Sequence, residues 1–215
     1  MRAILLKLIP LLLIGSAALA QPAGGAHYQI DLSRSDIHWL VYKAGTLSRL
    51  GHNHVISVGE LSGDVYVAPN LADSRLEITI PVEKLVVDDP ALRAKEGEDF
   101  SSVPSAKDIE GTKHNMLSPK VLDAENYETI KIAGTGPVGA PGSQELHLTI
   151  DILGRSVQVT VPTEVHVEGD TVEAAGKFKL THEALGMTPF SVALGALQVA
   201  NEMSFSYRVV AHRAE

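Results

Sequence analysis

With 215 residues, 45% of them hydrophobic, and no cysteine, the chain can bury a sizeable core but cannot staple it with disulfides. Its formal net charge is −8 and it has no lysine/arginine cluster, which excludes a nucleic-acid surface, since that needs a basic face. The length suits one all-β domain or two small ones.

Residues 1–20 read as a cleaved secretory signal peptide. Arg2 and Lys7 give a positive start, Leu8 to Ile14 an apolar run broken by Pro10, and Ala18-Leu19-Ala20 a small-x-small site before Gln21. A membrane anchor is the competing reading, but the run falls short of the roughly 20 residues that span a bilayer. Residues 21–27 are expected to be a flexible Pro/Gly-rich lead, followed by one barrel domain over 28–212.

From Tyr28 onward apolar and polar residues alternate. Ile37, Trp39 and Val41 share one strand face, and Lys43 to Gly51 is a turn or short helix. Val55 to Val67 reads as one long strand bent or bulged at Gly59 and Gly63. Arg75 to Val82 places Leu76, Ile78, Ile80 and Val82 inward, with the donor-less Pro81 on an unpaired or bulged side. Asp88 to Leu117 breaks the pattern, and there Ser105 can cap a helix over Ala106–Met116. Short strands resume at Thr129–Ile132, and Gly134 to Ser143 reads as a loop. Then come Leu146–Ile152, a Gly154-Arg155 turn, Val157–Val167 and Val172–Leu180. Leu185–Leu197 reads as a loop before a last strand, Met203–Val209. The pattern predicts an all-β, eight-stranded antiparallel barrel with a short helical insertion; a filled sandwich is the alternative. The small inward residues Gly59, Gly63, Ala174 and Gly176 favour some empty space.

Several segments, in order, resemble the YceI-like family. They are Tyr28-Gln29-Ile30-Asp31 with Ser35-Asp36-Ile37-His38-Trp39-Leu40-Val41, then Gly59 to Val65. Lys113 to Ser118 with Leu122 to Ile130, Leu185 to Phe190, and Val199 to Met203 complete the series. Glu128 stands where the family usually has proline, and Leu50-Gly51-His52-Asn53-His54 marks a histidine-bearing branch. The resemblance implies an extended lipocalin-like barrel, a periplasmic location, and a long isoprenoid-type lipid or quinone tail in the lumen. It implies no established reaction and no resident cofactor.

His52 and His54 are two residues apart, so in extended backbone both project from one face. With His114 they are the polar candidates, for a lipid head group or, alternatively, for a metal; His182 at a strand end is a further one. They can equally cap the barrel mouth by bonding its loops. His38, His147 and His166 fall on polar strand faces and are expected to be solvated. Trp39, Leu76, Ile78, Phe178, Phe205 and Tyr207 are the candidates for a lipid tunnel, with ordinary core as the competing role for the aromatics. The expected function is a carrier of long-chain lipid, with transient membrane contact and homodimerisation as further expectations. A metal-binding or redox-accessory protein is the alternative. An enzyme ranks last, because no nucleophile elbow, phosphate loop or dinucleotide fingerprint is present.

Overall fold

The structure is a computed structural model and describes residues 24–214. The proposed signal peptide, residues 1–20, lies outside the described residues.

The strands in chain order are β1 (Ala26–Ile30), β2 (Asp36–Ala44), β3 (His54–Val58), β4 (Ser62–Val67), β5 (Arg75–Pro81) and β6 (Leu85–Val87). A one-turn helix, α1 (Pro90–Arg93), and a three-turn helix, α2 (Ala106–Leu117), follow. Then come β7 (Thr129–Val138), β8 (Gln144–Ile152), β9 (Arg155–Glu168), β10 (Thr171–Thr181), β11 (Ser191–Val192) and β12 (Leu197–Arg213). The order β1-β4-β5-β7-β8-β9-β10-β12 closes on itself because β12 also pairs with β1, giving an eight-stranded antiparallel barrel. Every pairing round it is antiparallel, so no unpaired edge runs round the ring at that end.

The 17-residue β12 carries β10 along one edge. Its other edge carries β1 near the C-terminal end (Tyr28 opposite Arg213) and β2 further back (Trp39 opposite Phe205). The switch between them is the turn Leu32–Arg34, whose first residues are capped by the Asp31 carboxylate accepting from the Ser33 N–H at 2.9 Å. From β2 the sheet continues to β3 and β6, a flap of wall that extends beyond the ring.

Several sequence expectations need correction. The first strand takes in Ala26 and His27, so the lead does not extend to residue 27. The expected long strand Val55–Val67 is two strands with different partners: β3 lies between β2 and β6, and β4 between β1 and β5. The chain turns out of β3 at Gly59, whose N–H donates to Lys84 O at 3.2 Å. A Cβ there would stand 2.5 Å from that same carbonyl oxygen, so only glycine permits the approach. Gly134 lies inside β7 rather than in a loop, because its bare Cα admits the side chains of Leu76 and Leu148 from the two neighbouring strands. β12 begins six residues earlier than expected, at Leu197 rather than Met203. Nor does Gly176 leave empty space, since the Tyr207 ring lies over it and the Tyr207 hydroxyl donates to Pro162 O at 2.9 Å.

Pro162 also explains a local parting of the wall. The β9–β10 ladder runs from Thr171/Glu168 to Ala175/Glu164 and stops there. The Pro162 carbonyl faces Gly176 in β10, so the N–H that proline lacks is missing from that same edge. On β5, Pro81 pairs with Thr129 of β7, while the β4 ladder has already ended at Thr79, as a donor-less residue allows.

α2 starts at a reciprocal capping box. Ser105 Oγ accepts from the Asp108 N–H at 3.3 Å, and Asp108 Oδ2 accepts from the Ser105 N–H at 3.0 Å. Ile109 and Met116 turn from it onto the main core, where Leu122, Leu185, Met187 and Met203 are buried. A smaller cluster of Tyr28, Val172 and Ala211 is buried between the opposite strand ends. No helix among the described residues is long and apolar enough to cross a membrane.

Candidate functional site: an apolar lumen with a histidine-bearing mouth

The alternation of each strand turns one side chain in two toward the barrel axis. At mid-height, Ile78, Ile132 and Ile150 stand side by side on β5, β7 and β8 and all line a cavity of about 450 Å³. Leu76 lines it one step along. The opposite wall is aromatic. Trp39 stacks on Phe205 with centroids 5.8 Å apart, Phe205 on Phe178 at 5.0 Å, and Phe178 meets Tyr207 edge-on at 6.2 Å. The register of β2, β12 and β10 puts Trp39, Phe205 and Phe178 in one row, and all four rings line the cavity. Trp39 and Phe205 also pack against the main core, so these aromatics line the cavity and back onto the core at once.

The two ends differ. At one, the lining reaches Val172, Ala211, Gly136 and Pro137, all buried, and the Tyr28 cluster fills the space behind. At the other, the lining includes exposed Lys43, Val192 and Gln198 and half-buried Gly51, His52, Thr112 and Leu197. The mouth therefore lies under α2, between the segments 43–54 and 190–198.

His52 and His54 both line this mouth, their rings 6.3 Å apart at 71°. Asn53 between them points the other way: its Oδ1 accepts from the Lys43 N–H at 2.9 Å and its Nδ2 donates to Asp99 O at 2.9 Å. The same-face expectation from the two-residue spacing thus describes the real arrangement. What the sequence did not show is what holds His54. Its Nδ1 lies 2.7 Å from Asp88 Oδ2, and Asp88 Oδ1 accepts from the Val55 N–H at 2.9 Å and from Arg93 Nη1 at 2.5 Å. Arg93 also donates to the carbonyls of Asn53, Phe100 and Ser102 at 2.7, 3.0 and 2.8 Å. Burial pushes the Asp88 carboxyl up, but the hydrogen bonds from His54, Val55 and Arg93 together outweigh it and hold it below its usual range. An ionised Asp88 only accepts, so His54 Nδ1 is the donor, and Nε2 is left facing Thr112 Oγ1 at 3.5 Å. His52 faces Asp108 of α2 at 4.0 Å.

The other histidines do not join this pair. His114 lies on α2 but is exposed, while Thr112, Asn115 and Met116 are the α2 residues that line the cavity. The convergence of His52, His54 and His114 expected for a head group or metal is therefore not formed. Among the described residues, no three of His, Cys, Asp and Glu are grouped to hold a metal ion. His38 is not solvated as expected: it is buried, with Nδ1 2.6 Å from Asp36 and Nε2 3.2 Å from Glu96, because the chain after α1 folds across that face.

His182 lines the cavity wall away from the pair, its Nδ1 donating to Asn201 O at 3.0 Å. Burial pushes its pKa below the ordinary 6.5, partly offset by that carbonyl contact. Between the lowered value and 6.5 the unfolded chain binds more protons than the folded one. This part of the stability is therefore complete above 6.5 and is lost as pH falls through that window. We expect the melting temperature to fall on acidification below pH 6.5 and the fall to be shallower in His182→Gln; thermal denaturation across pH, with equal slopes for both proteins, would contradict the assignment.

Comparison with known proteins agrees with this architecture. No curated protein matches the chain at significance. The crystal structure of BcnA from Burkholderia cenocepacia superposes with a TM-score of 0.60 at 17% identity, covering 84% of this chain and 98% of that one. A polyisoprenoid binding domain from Saccharophagus degradans gives 0.57 at 10% identity, covering 87% and 98%. The Campylobacter jejuni YCEI protein gives 0.52 at 10% identity, covering 74% and 85%. At these identities the likeness is one of fold. The model of the YceI-like domain matches residues 28–211, which is nearly the whole barrel, and the chain belongs to the YceI-like family.

Proposed function

We propose that the protein is a periplasmic carrier that holds the tail of a long isoprenoid-type lipid or quinone in its lumen, as cargo and without catalysis. The observation that carries this reading is the cavity: about 450 Å³, walled mainly by isoleucine, leucine, valine and aromatic side chains along the barrel, with His52, His54, Thr112 and Asn115 among its lining on the mouth side. That volume is in the range of small-molecule sites. Each methylene drawn in contributes about 0.8 kcal/mol. A continuous apolar wall offers little to a compact polar ligand, whereas a long tail meets it along its whole length. His52, His54, Thr112 and Asn115 leave the polar end of such a lipid at the mouth. The Saccharophagus degradans neighbour, described as a polyisoprenoid binding domain, supports the same class of ligand.

The test is extraction. Protein purified from cells without detergent is expected to release a long-chain lipid into organic solvent, identified by mass spectrometry. Repeated extracts with no lipid, from protein exported by its own host, would refute the carrier reading.

A further inference from the structure

Two leucines break the usual economy of the surface at one place. Leu194 is fully exposed and Leu50 is 67% exposed. Leu50 closes the short turn Ser48–Leu50, and Leu194 is at the tip of the hairpin made by β11 and the start of β12. The two tips are tied together: the Leu47 N–H donates to Ala196 O at 2.7 Å, and a Cβ added to Gly51 would stand 3.1 Å from the Leu197 side chain. Both flank the mouth, since Gly51, Val192 and Leu197 line the cavity.

The hairpin tip is a tight turn with left-handed central residues, closed by the Ala196 N–H on Ala193 O at 3.1 Å, and it places a leucine where glycine or asparagine is favoured. Ala193 and Leu194 have φ of 50° and 55°, the left-handed region that residues other than glycine avoid at about 1 kcal/mol or more each. No packing explains that cost, as the leucine touches water.

Charge is uneven in the same place. The chain has 26 acidic residues, yet segments 43–52, 117–121 and 187–200, all at this rim, contain none. They contain Lys43, Arg49 and Lys120. Lys120 lies over the Phe190 ring, 5.9 Å from its centroid, which places it beside the entrance. Acids near the rim come from neighbouring elements: Asp108 and Glu110 on α2, with Asp108 engaged by Ser105, and Asp99, whose carbonyl accepts from Asn53.

From this we propose that the mouth is a docking face for an anionic lipid bilayer, with Leu50 and Leu194 entering the acyl boundary and Lys43, Arg49 and Lys120 facing the head groups. The inference deepens the carrier reading and rests on it, because a lipid that leaves a membrane for the lumen would then never cross water. Apolar tips within a basic rim suit a membrane interface. They suit a symmetric contact with a second copy less well, because that would bring Lys43, Arg49 and Lys120 of one copy toward those of the other.

The test is cosedimentation of the full-length mature protein with phosphatidylglycerol vesicles and with phosphatidylcholine vesicles, for the wild type and for Leu50→Ser/Leu194→Ser. We expect binding to phosphatidylglycerol that weakens with salt, and a loss of about tenfold or more for each leucine removed. Both positions are exposed, so the variant should keep its melting temperature. Equal sedimentation of the two proteins overturns the proposal, as does self-association that needs the leucines in a protein that binds neither vesicle. A protein that yields lipid on extraction but ignores both vesicles overturns docking and leaves the carrier reading standing. Leucine-dependent vesicle binding with lipid-free extracts supports the docking face and refutes the carrier reading.

Discussion

Asp88→Ala is expected to lower the melting temperature by about 10–15 °C. The side chain is fully buried and is the counter-charge of the buried Arg93 guanidinium. Removing one partner of such a pair costs about 3–5 kcal/mol, because the other charge stays in the interior without its partner. In a domain of this size each kcal/mol moves the melting temperature by about 2–4 °C. Alanine meets a further cost, since residue 88 has φ of 57°. The double variant Asp88→Ala/Arg93→Met should recover part of the loss, because no buried charge then remains. Thermal denaturation followed by circular dichroism reads all three; a single variant melting within about 3 °C of wild type would show that Asp88 does not organise this corner. The consequence reaches the mouth, because Asp88 also fixes the His54 ring.

Ile78→Trp is expected to cut the lipid recovered by extraction at least tenfold while leaving the barrel folded. Ile78 is at mid-height of the lumen between Gly63 and Ile132, and its side chain faces the cavity. An indole there occupies the volume the tail needs. In a packed core the same change would cost about 1–3 kcal/mol through overpacking. Against an open lumen it should cost less, so melting temperature and lipid content separate the two cases. Wild-type lipid levels in the variant would show that the tail does not run through the lumen.

Much of the barrel was legible in the residues. Alternation in Leu76–Ile80, Leu146–Ile152 and Val172–Leu180 turned the correct side chains inward, because a strand's period of two depends on backbone geometry alone. Ser105 announced α2 for an equally local reason, while its reciprocal partner Asp108 came from the structure. The errors fell where local pattern does not name a partner. Val55–Val67 alternates well enough to be one strand, and only the approach of Gly59 to Lys84 shows that it serves two different neighbours. His38 alternates onto a polar face that the later chain covers with Glu96.

The candidate site shows the same division. The spacing of His52 and His54 was enough to put both on one face, since i and i+2 in extended chain always share one. Nothing in that spacing selects Asp88 and Arg93 as the support of His54, 34 and 39 positions further along, because long-range pairing depends on how loops fold back over the sheet. His114 is on the predicted helix but faces outward, as the rotation of a helix on its neighbours is a matter of packing. Most strand faces and the capped helix belong to the sequence by itself. The lumen, the histidines at its mouth and the tie between the Ser48–Leu50 turn and the β11–β12 hairpin arise only when the ring closes, because a cavity is the space that distant side chains leave between them.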